Sequence, residues 1–494
     1  MIDAAADLAA STLTAKVWNL AHVMRDAGVG AGDYVEQVTY LLFLKLDAER
    51  AEDGQPSLVP EVCRWDRLAN LAGSELARAY AGALAALAGQ PGLVGAVFAR
   101  AGNRIEEPAL LRRLVGLIGN ETWSAYGLDV KGAIYEGLLE RTASDVKSGA
   151  GQYFTPRPLI QAVVDVVDPR PGQRVCDPAC GTAGFLLAAY DHMRARPEAR
   201  DLDTVRRMRE AGFTGYDIVA GVARLAAMNL YLHGLGGQVQ GAPSPIRRAD
   251  ALLADPGDRW DVILTNPPFG RKQSVRVFTG DGEAEAERED YQRSDFTETT
   301  GNKQLNFLQH CMTVLDEGGT AAVVVPDNVL FEAGAGERIR RRLLGEFDCH
   351  TMLRLPTGIF YRPGVKANVL FFDRRPRRAE PWTEALWAYD LRTNKRFTLK
   401  ERPLRRGDLD EFVRLARLAD RHVRREADDL PRWRRYPYAE LAARERMDLN
   451  LTWLKEEGAA DPSTLPPPAE IAAAIADELE TAFTRFRAVA ARLA

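Results

Sequence analysis

The first 125 residues place hydrophobic side chains at helical spacing. Between residues 13 and 51 apolar side chains recur every three or four positions, interrupted only by the glycine-rich stretch 28–32. Such a repeat puts apolar groups on one face of a helix, so the pattern predicts two helices here. Further helical patterns cover 68–87 and 108–117, while the alternation typical of strands is nearly absent. We therefore expect residues 1–125 to form an all-helical N-terminal domain.

The pattern changes after Tyr153, where short apolar runs alternate with helical segments. The strand-like runs lie at 174–176, 212–216, 261–264 and 321–325. Nearly continuous apolar strands are typical of a parallel sheet that helices cover on both faces. The sequence therefore predicts an α/β domain, assigned to residues 126–385. Within it, the charged segment 271–302 lacks apolar periodicity and is expected to be a long mobile loop after a strand.

The last quarter of the chain is strongly charged and again helical in pattern. Three consecutive prolines, Pro466 to Pro468, precede a predicted final helix over 469–493. In this helix, apolar side chains alternate in steps of four and three, the spacing of helix-on-helix packing. They are Leu479, Phe483, Phe486, Ala490 and Leu493. Packing on its own domain and docking on a partner both fit, and we assign 386–494 as a C-terminal helical region that docks a partner.

Composition narrows the class of protein. The chain has 494 residues, 46% of them hydrophobic and 27% charged, and no apolar run approaches the roughly 20 residues of a membrane span. The N-terminus lacks the basic and apolar parts of a secretory signal, so a cytoplasmic location without a membrane is expected. Five scattered cysteines predict neither a disulfide framework nor a metal site. A formal net charge of -4 means that contact with DNA needs a local basic face or a partner.

A loop of small residues follows the first predicted strand. The segment 175–185 reads Val-Cys-Asp-Pro-Ala-Cys-Gly-Thr-Ala-Gly-Phe, with Asp177 at the strand end and an apolar helix beginning after the glycines. It matches neither G-x-G-x-x-G nor the P-loop, so pyrophosphate cofactors lose support. Asp217 and Asp250 end the next two strands. In a doubly wound sheet Asp217 lies where a ribose binds, although it could also be an ordinary turn residue.

The strongest chemical signal is the tetrad Asn266-Pro267-Pro268-Phe269, which directly follows a buried-type strand. An adenine N6 amine is a poor nucleophile because its lone pair is delocalised into the ring. The Asn266 side-chain oxygen and the Pro267 carbonyl can accept its hydrogens, and the prolines fix that geometry in advance. Phe269 offers a ring face on which the base can stack. A purely structural proline turn is the alternative interpretation.

These motifs resemble those of a known family. The chain closely resembles the modification (M) subunits of type I restriction-modification systems, a branch of the gamma-type N6-adenine methyltransferases, over nearly its whole length. The resemblance lies in the segments 144–157 (SDVKSGAGQYFTPR), 177–185, 266–269, 325–331 (VPDNVLF) and 355–361 (LPTGIFY). It implies a Rossmann-like core that uses S-adenosylmethionine, flanked by an all-helical N-terminal domain and a helical C-terminal tail.

The resemblance also implies roles for individual residues. One side of the cofactor pocket would be lined by Gln152, Tyr153, Phe154, Thr155, Pro156 and Arg157. The predicted cofactor contacts elsewhere are Asp177, Gly181, Thr182, Ala183, Gly184, Asp217 on the ribose, and Asp250. Phe360 would give the extruded adenine a second aromatic face beside Phe269. From the residues alone, Tyr153 and Phe154 could equally be core aromatics and Phe360 a residue of the sheet.

The resemblance further implies a reaction and an assembly. The reaction is adenine-N6 methylation of double-stranded DNA, with the target base swung out of the duplex. Two copies of the subunit would bind one specificity (S) subunit, and a restriction (R) subunit can join that complex. The basic residues beside the tetrad, Arg271, Lys272 and Lys303, could meet phosphates or simply be solvated. Methylation of RNA or of a protein glutamine, and a non-catalytic scaffold, are the competing hypotheses.

Overall fold

The computed structural model describes residues 2–126, 128–145, 155–236, 241–269, 274–278, 284–288, 291–360, 364–399, 401–417 and 421–455. Residues 1–452 form one compact unit and residues 453–494 a second. The predicted final helix over 469–493 and its apolar seam lie outside the described residues.

Helices alone make up the described N-terminal part, as the spacing predicted. They are α1 (Ile2–Asp26), α2 (Ala31–Glu52), α3 (Trp65–Ala69), α4 (Gly73–Ala88), α5 (Gly92–Phe98), α6 (Pro108–Gly119) and α7 (Leu128–Asp145). Buried aromatic residues, among them Tyr40, Phe43 and Phe98, fill the space between the helices. Phe43 also packs against Tyr231 at a ring-centroid distance of 4.8 Å, which joins the helical region to the α/β core.

The remaining described helices surround and follow the sheet. They are α8 (Arg157–Val167), α9 (Gly184–Arg194), α10 (Leu202–Ala211), α11 (Ala220–Leu232), α12 (Lys303–Val314), α13 (Asp327–Phe331), α14 (Ala335–Glu346), α15 (Asp410–Ala416) and α16 (Tyr438–Ala443). None of the helices in the described part of the chain combines the length and the hydrophobicity that a membrane span requires.

The strands form one large sheet and one hairpin. They are β1 (Val175–Asp177), β2 (Phe213–Asp217), β3 (Ile246–Arg248), β4 (Trp260–Thr265), β5 (Ser274–Phe278), β6 (Ala284–Arg288), β7 (Leu315–Pro326), β8 (Phe347–Arg354), β9 (Ala367–Arg374), β10 (Ala385–Asp390) and β11 (Trp433–Pro437).

The large sheet is mixed, with the order β11-β10-β8-β9-β7-β4-β1-β2-β3. Strands β3, β2, β1, β4 and β7 run parallel, while β9 lies antiparallel between β7 and β8. Each of the four predicted apolar runs lies on or overlaps a strand of this sheet. This confirms the α/β core, and it places the carboxyl ends of β1, β2, β3 and β4 along one edge.

Two regions differ from the sequence-based expectation. In the segment expected to be a loop, β5 and β6 pair as an antiparallel hairpin. After residue 386, where only helices were expected, β10 and β11 extend the sheet. All of β10 is buried, whereas β11 is an edge strand in which exposed Arg434 and Arg435 lie between buried Trp433 and Tyr436. Charged edge strands lack the apolar run by which inner strands are recognised.

Candidate active site

Four strand ends meet around one cavity of about 540 Å³. Asp177 ends β1, Asp217 ends β2, Asp250 follows β3, and Asn266 follows β4. All four residues line the cavity. Since ligands of open parallel sheets bind outside the carboxyl ends of the strands, this cavity is the candidate site.

The three aspartates fix the loops that follow their strands. In each case one carboxylate oxygen accepts a hydrogen bond from the backbone N–H two residues later. Asp177 accepts from Ala179 at 3.0 Å, Asp217 from Val219 at 2.7 Å, and Asp250 from Leu252 at 2.9 Å. Asp250 also accepts from the Tyr291 hydroxyl at 2.8 Å. These turns hold the carboxylates at the cavity wall.

Two of these carboxylates, Asp177 and Asp217, are buried, and neither forms an ion pair with a residue in the described part of the chain. Burial raises the pKa of Asp177 to about 7. The negative charge of Asp217 adds to that rise, and the hydrogen bond from the Ala179 backbone N–H opposes it. Burial likewise raises the pKa of Asp217 to about 6, against hydrogen bonds from the backbone of Val219 and Gly181. Such shifts favour a ligand whose hydroxyl or amino hydrogens can stabilise the carboxylate form.

The small residues of the loop after β1 allow close packing. Gly181, Thr182 and Gly184 line the cavity, whereas the Ala183 side chain is fully buried away from it. Ala183 has a φ of 69°, a left-handed conformation that a residue with a Cβ rarely adopts. A Cβ on Gly184 would lie 2.9 Å from the Ile160 Cδ1 atom, so helix α8 packs directly on this loop. The Thr182 carbonyl accepts a hydrogen bond from the Asn229 side chain at 3.0 Å.

Asn266 presents a buried acceptor. Its Nδ2 donates to the Thr155 Oγ1 at 2.9 Å, while its Oδ1 is buried and has no hydrogen-bond partner among the described residues. Gln304 holds the other end of the tetrad, because its Nε2 donates to the Pro268 carbonyl at 3.1 Å. Asn266 and Pro268 line the cavity together with Thr155. The hydrogen bond to Thr155 therefore orients the Asn266 side chain, and the Asn266 Oδ1 can accept a hydrogen bond from a ligand.

The two predicted aromatic faces contact each other. The Phe269 and Phe360 ring centroids lie 5.7 Å apart with an angle of 75° between the ring planes. Phe269 lines the cavity, while Phe360 is buried. A base stacked between two rings needs about twice the ~3.5 Å separation of carbon atoms in contact, so no such gap exists between these rings.

Only some of the predicted residues of the segment 152–157 and of the tetrad line the cavity. Gln152, Tyr153 and Phe154 lie outside the described residues. Thr155 and Arg157 line the cavity, and Pro156 precedes the first residue of α8. Pro267 is buried and is not among the residues that line the cavity.

Sequence reasoning missed cavity residues that come from four helices. They include Glu136 and Leu139 of α7, Ile160 of α8, Asn229 of α11, and Phe307 of α12. Lys303, the first residue of α12, also lines the cavity, although the sequence had suggested it only as a phosphate contact. Glu136 and Leu139 are three residues apart and so share one helix face, but that spacing does not reveal what the face meets.

Comparison with known protein families identifies both parts of the unit. Residues 127–442 match the family model described as N-6 DNA Methylase. Residues 13–118 match the model described as HsdM N-terminal domain. The first match covers the sheet and every cavity residue described above.

Individual relatives match over nearly the full chain. The type I restriction enzyme EcoKI methylase subunit of Escherichia coli (strain K12) is 36% identical, over 97% of this chain and 94% of that protein. The StySPI methylase subunit of Salmonella potsdam is also 36% identical, over 94% of this chain and 92% of that protein.

Solved structures agree with these relatives. The crystal structure of the EcoKI M protein is 33% identical, covers 98% of this chain and 96% of its own, and has a TM-score of 0.54. A chain from a study of complex assembly in the type I R-M system has a TM-score of 0.73 at 27% identity, with 97% of both chains covered.

Proposed function

The chain belongs to the methylase subunits of type I restriction enzymes, which carry an N-6 DNA methylase domain, and from this premise we propose how its residues methylate adenine in duplex DNA. The observation that carries the proposal is the buried Asn266 Oδ1, which has no partner in the described part of the chain and lies at a cavity lined by carboxylates.

Asn266 acts on the adenine amine. Its Oδ1 accepts one N6 hydrogen and so draws the nitrogen lone pair out of conjugation with the ring. The Pro267 carbonyl is proposed to accept the second hydrogen. Thr155 keeps the amide from turning its Nδ2 toward the base, since Thr155 Oγ1 holds that group at 2.9 Å. The acceptors are in place before the base arrives, and preorganised polar groups of this kind stabilise a transition state without rearrangement.

The cavity fits S-adenosylmethionine, which supplies an electrophilic methyl group when it is bound. The two hydroxyl groups of its ribose can donate hydrogen bonds to the Asp217 carboxylate. Burial raises the pKa of Asp217 to about 6, and this supports the assignment, because such hydrogen bonds would stabilise the charged form. Asp177 and Asp250 would hold neighbouring polar groups of the cofactor, with Gly181, Thr182 and Gly184 contacting it through the backbone. Thr155 and Arg157 line the same cavity. We propose a cofactor-contacting role also for Gln152 to Phe154, for Pro156, and for the backbone of Ala183, whose side chain is buried.

Phe269 retains the flipped base. The adenine of a duplex must leave the stack to reach Asn266, which costs a few kcal/mol. Phe269 is partly exposed and lines the cavity, so it can offset part of the cost of flipping by stacking on the base, typically about 1 to 3 kcal/mol per base. Phe360 and Phe269 are in edge-to-face contact, so Phe360 serves as a second face only after one of the two rings has moved.

Sequence recognition requires a partner. The described residues after 375 add β10 and β11 to the central sheet rather than forming a separate DNA-reading fold. Two solved or curated relatives are named as parts of multi-subunit type I enzymes. We propose that two copies of this chain bind one specificity (S) subunit in the cytoplasm, that a restriction (R) subunit joins the complex, and that the methylation protects host DNA from cleavage.

Transfer of a tritiated methyl group to duplex DNA by the chain with its specificity subunit tests the proposal. Asn266→Ala should lower the rate by about 100- to 1,000-fold, because it removes one preorganised partner of the reacting amine. Calorimetry should give Asn266→Ala the wild-type affinity for S-adenosylmethionine. Phe269→Ala should lose less activity, and its defect should shrink when the target adenine is mispaired, since flipping is then easier. Wild-type rates in Asn266→Ala would refute the mechanism.

A further inference from the structure

The loop that carries Phe360 leaves the sheet at the edge where the cavity lies. Strand β9 runs antiparallel to both β7 and β8, and β10 runs parallel to β8, so β7, β8 and β10 end at the same edge as β4. The segment 355–360 follows β8, and the Phe360 ring contacts the Phe269 ring at a centroid distance of 5.7 Å. The position of Phe360 therefore depends on the residues that hold this segment.

One arginine of the loop after β10 binds three neighbouring segments. Arg392 Nε donates to the carbonyl of Leu355, where the loop after β8 begins, at 3.2 Å. Its Nη1 and Nη2 donate to the two carboxylate oxygens of Asp327, which follows β7, at 2.8 Å each. Nη2 also donates to the carbonyl of Ala367, the first residue of β9, at 3.3 Å. One guanidinium therefore fixes both ends of the connection between β8 and β9 and joins them to the segment after β7.

A glycine brings the same two loops together at a second point. Gly358 has a φ of 84°, a left-handed conformation that favours glycine. A Cβ added at Gly358 would overlap the carbonyl oxygen of Phe397, a buried residue of the loop after β10. Gly358 precedes Phe360 by two residues. The loop after β10 thus contacts the segment 355–360 at its first residue and again close to the aromatic ring.

We propose that Arg392 is a positioning residue for the substrate base, because it fixes the backbone of the segment 355–360 and so holds Phe360 beside Phe269. The inference rests on the proposed function, since it assumes that a flipped adenine stacks at these rings. With the backbone held, only a ring has to turn to admit the base. Arginine suits this role because its planar fork can bind a carboxylate with two nitrogens and still donate to backbone carbonyls. The proposal assigns part of the region 386–494, expected from the sequence to dock a partner, to the base site.

Single-turnover methyl transfer by the chain with its specificity subunit, at saturating S-adenosylmethionine, tests the proposal. Phe360→Leu should slow transfer by about 5- to 100-fold, because one stacking face is lost. Arg392→Gln should slow it by about 3- to 30-fold, as expected for coupled neighbours. The double variant should be no slower than Phe360→Leu alone, because Arg392 then has no aromatic ring left to position. Both single defects should shrink when the target adenine is mispaired, since flipping is then easier.

A second variant perturbs the same loop without removing a charge. Gly358→Ala should reproduce the slower transfer, and it should add no further loss to Phe360→Leu. A matched control is Arg259, which donates to both carboxylate oxygens of Asp255 at 2.9 and 2.8 Å beside the amino end of β4. Arg259→Gln should transfer methyl groups at the wild-type rate. Calorimetry should give every variant an affinity for S-adenosylmethionine within about twofold of the wild type, which also verifies folding.

Four outcomes would overturn the inference. In the first, the effects of Arg392→Gln and Phe360→Leu multiply in the double variant, so that the two residues act independently. In the second, Arg392→Gln and Gly358→Ala both transfer at the wild-type rate, and in the third Phe360→Leu does so. In the fourth, the Arg392→Gln defect is the same with paired and mispaired adenine, or cofactor affinity falls with it, as a general structural role requires. A wild-type complex that methylates no adenine would instead contradict the proposed function.

Discussion

Aspartates end strands on both halves of the carboxyl edge of the sheet, but their surroundings differ. On the β1–β3 half, Asp177 and Asp217 accept hydrogen bonds from backbone N–H groups, and burial raises the pKa of each. On the other half, Asp327 follows β7 and binds both terminal nitrogens of Arg392 at 2.8 Å. Burial alone would raise the pKa of Asp327, but Arg392 outweighs it and holds the pKa below its ordinary value.

The contrast separates carboxylates available for a ligand from carboxylates that hold the fold together. Asp327 also accepts from the Asn368 side chain at 2.9 Å, and Asp390 at the end of β10 accepts from the Thr393 hydroxyl at 2.8 Å. These groups have protein partners and are not among the residues that line the cavity of about 540 Å³. Asp177 and Asp217 remain under-stabilised in the free protein, which is the arrangement expected of groups whose partner is a ligand.

Neutralising one aspartate on each half should impair two different properties, cofactor affinity on one half and stability on the other. Asp217→Asn should weaken S-adenosylmethionine binding by about 10- to 100-fold, because charged acceptors make the stronger hydrogen bonds to ribose hydroxyls. Asp327→Asn should leave that affinity within about twofold. It should lower the free energy of unfolding by about 2 to 4 kcal/mol, since breaking a partly buried pair leaves the Arg392 charge unpartnered.

Calorimetry and urea unfolding measure the two effects on the same samples. Asp66→Asn, at an exposed position of α3 far along the chain from either half, provides the control for loss of one negative charge. The division of the edge into two halves would be wrong if Asp327→Asn impaired cofactor binding as strongly as Asp217→Asn does.

The role of Thr155 in orienting Asn266, which follows β4 between the two halves of the edge, can also be tested. Thr155→Val removes the acceptor that orients the Asn266 amide, so the rate of methyl transfer should fall by about 10-fold, with a smaller change in cofactor affinity. Thr155→Ser keeps the hydroxyl and should restore most of the rate. Single-turnover kinetics with saturating cofactor distinguish the two variants. Equal rates for valine and serine would show that the hydroxyl does not orient the amide.

The pH dependence should sharpen the contrast further. A carboxyl whose folded pKa is raised stabilises the fold below its unfolded pKa, and this contribution is lost as pH rises through the folded pKa. Asp217 should therefore make the free protein up to about 3 kcal/mol less stable at pH 8 than at pH 4, from its pKa of about 6. Affinity for the cofactor should change in the opposite direction and decrease below pH 6, where Asp217 is protonated.

Buried histidines also make stability depend on pH, because burial lowers the pKa of His310 to about 3 and of His350 to about 4. The difference in the free energy of unfolding between wild type and Asp217→Asn separates the contribution of Asp217 from theirs. Stability should be measured by urea unfolding at each pH, and affinity by calorimetry. Parallel pH profiles for the two proteins would contradict the assignment of the raised pKa to Asp217.

The smallest expected effect concerns the loop after β1. Ala183 is left-handed at a φ of 69°, which costs an alanine roughly 1 to 2 kcal/mol relative to a right-handed residue. Ala183→Gly removes that strain but adds freedom to the unfolded chain worth about 0.4 to 1 kcal/mol. We expect a net gain below about 1 kcal/mol in urea unfolding, with unchanged cofactor affinity. A clear loss of stability would indicate that the methyl group packs better than its conformation suggests.

The sequence alone determined the features that are local in the chain. Four of the parallel strands, β1, β2, β4 and β7, were recognised because each overlaps a short apolar run, and Asp177, Asp217 and Asn266 were identified at the ends of such runs. Asp250 was assigned to a strand end without such a run, because β3 consists of Ile-Arg-Arg. Parallel strands end at one edge, so their proximity followed from topology. The helical N-terminal part followed from spacing in the same way. The site roles assigned to these residues stay predictions until the variants are measured.

Only the tertiary structure decided which distant residues meet. Thr155 and Asn266 are 111 positions apart, and Arg392 and Asp327 are 65 positions apart. The Glu136–Arg157 pair and the edge contact of Phe269 with Phe360 are equally invisible in the chain. Periodicity tells which face of an element is buried, but not which element covers it. Packing makes that choice, because it depends on the shapes of all the elements together, and the partners of each side chain follow from it.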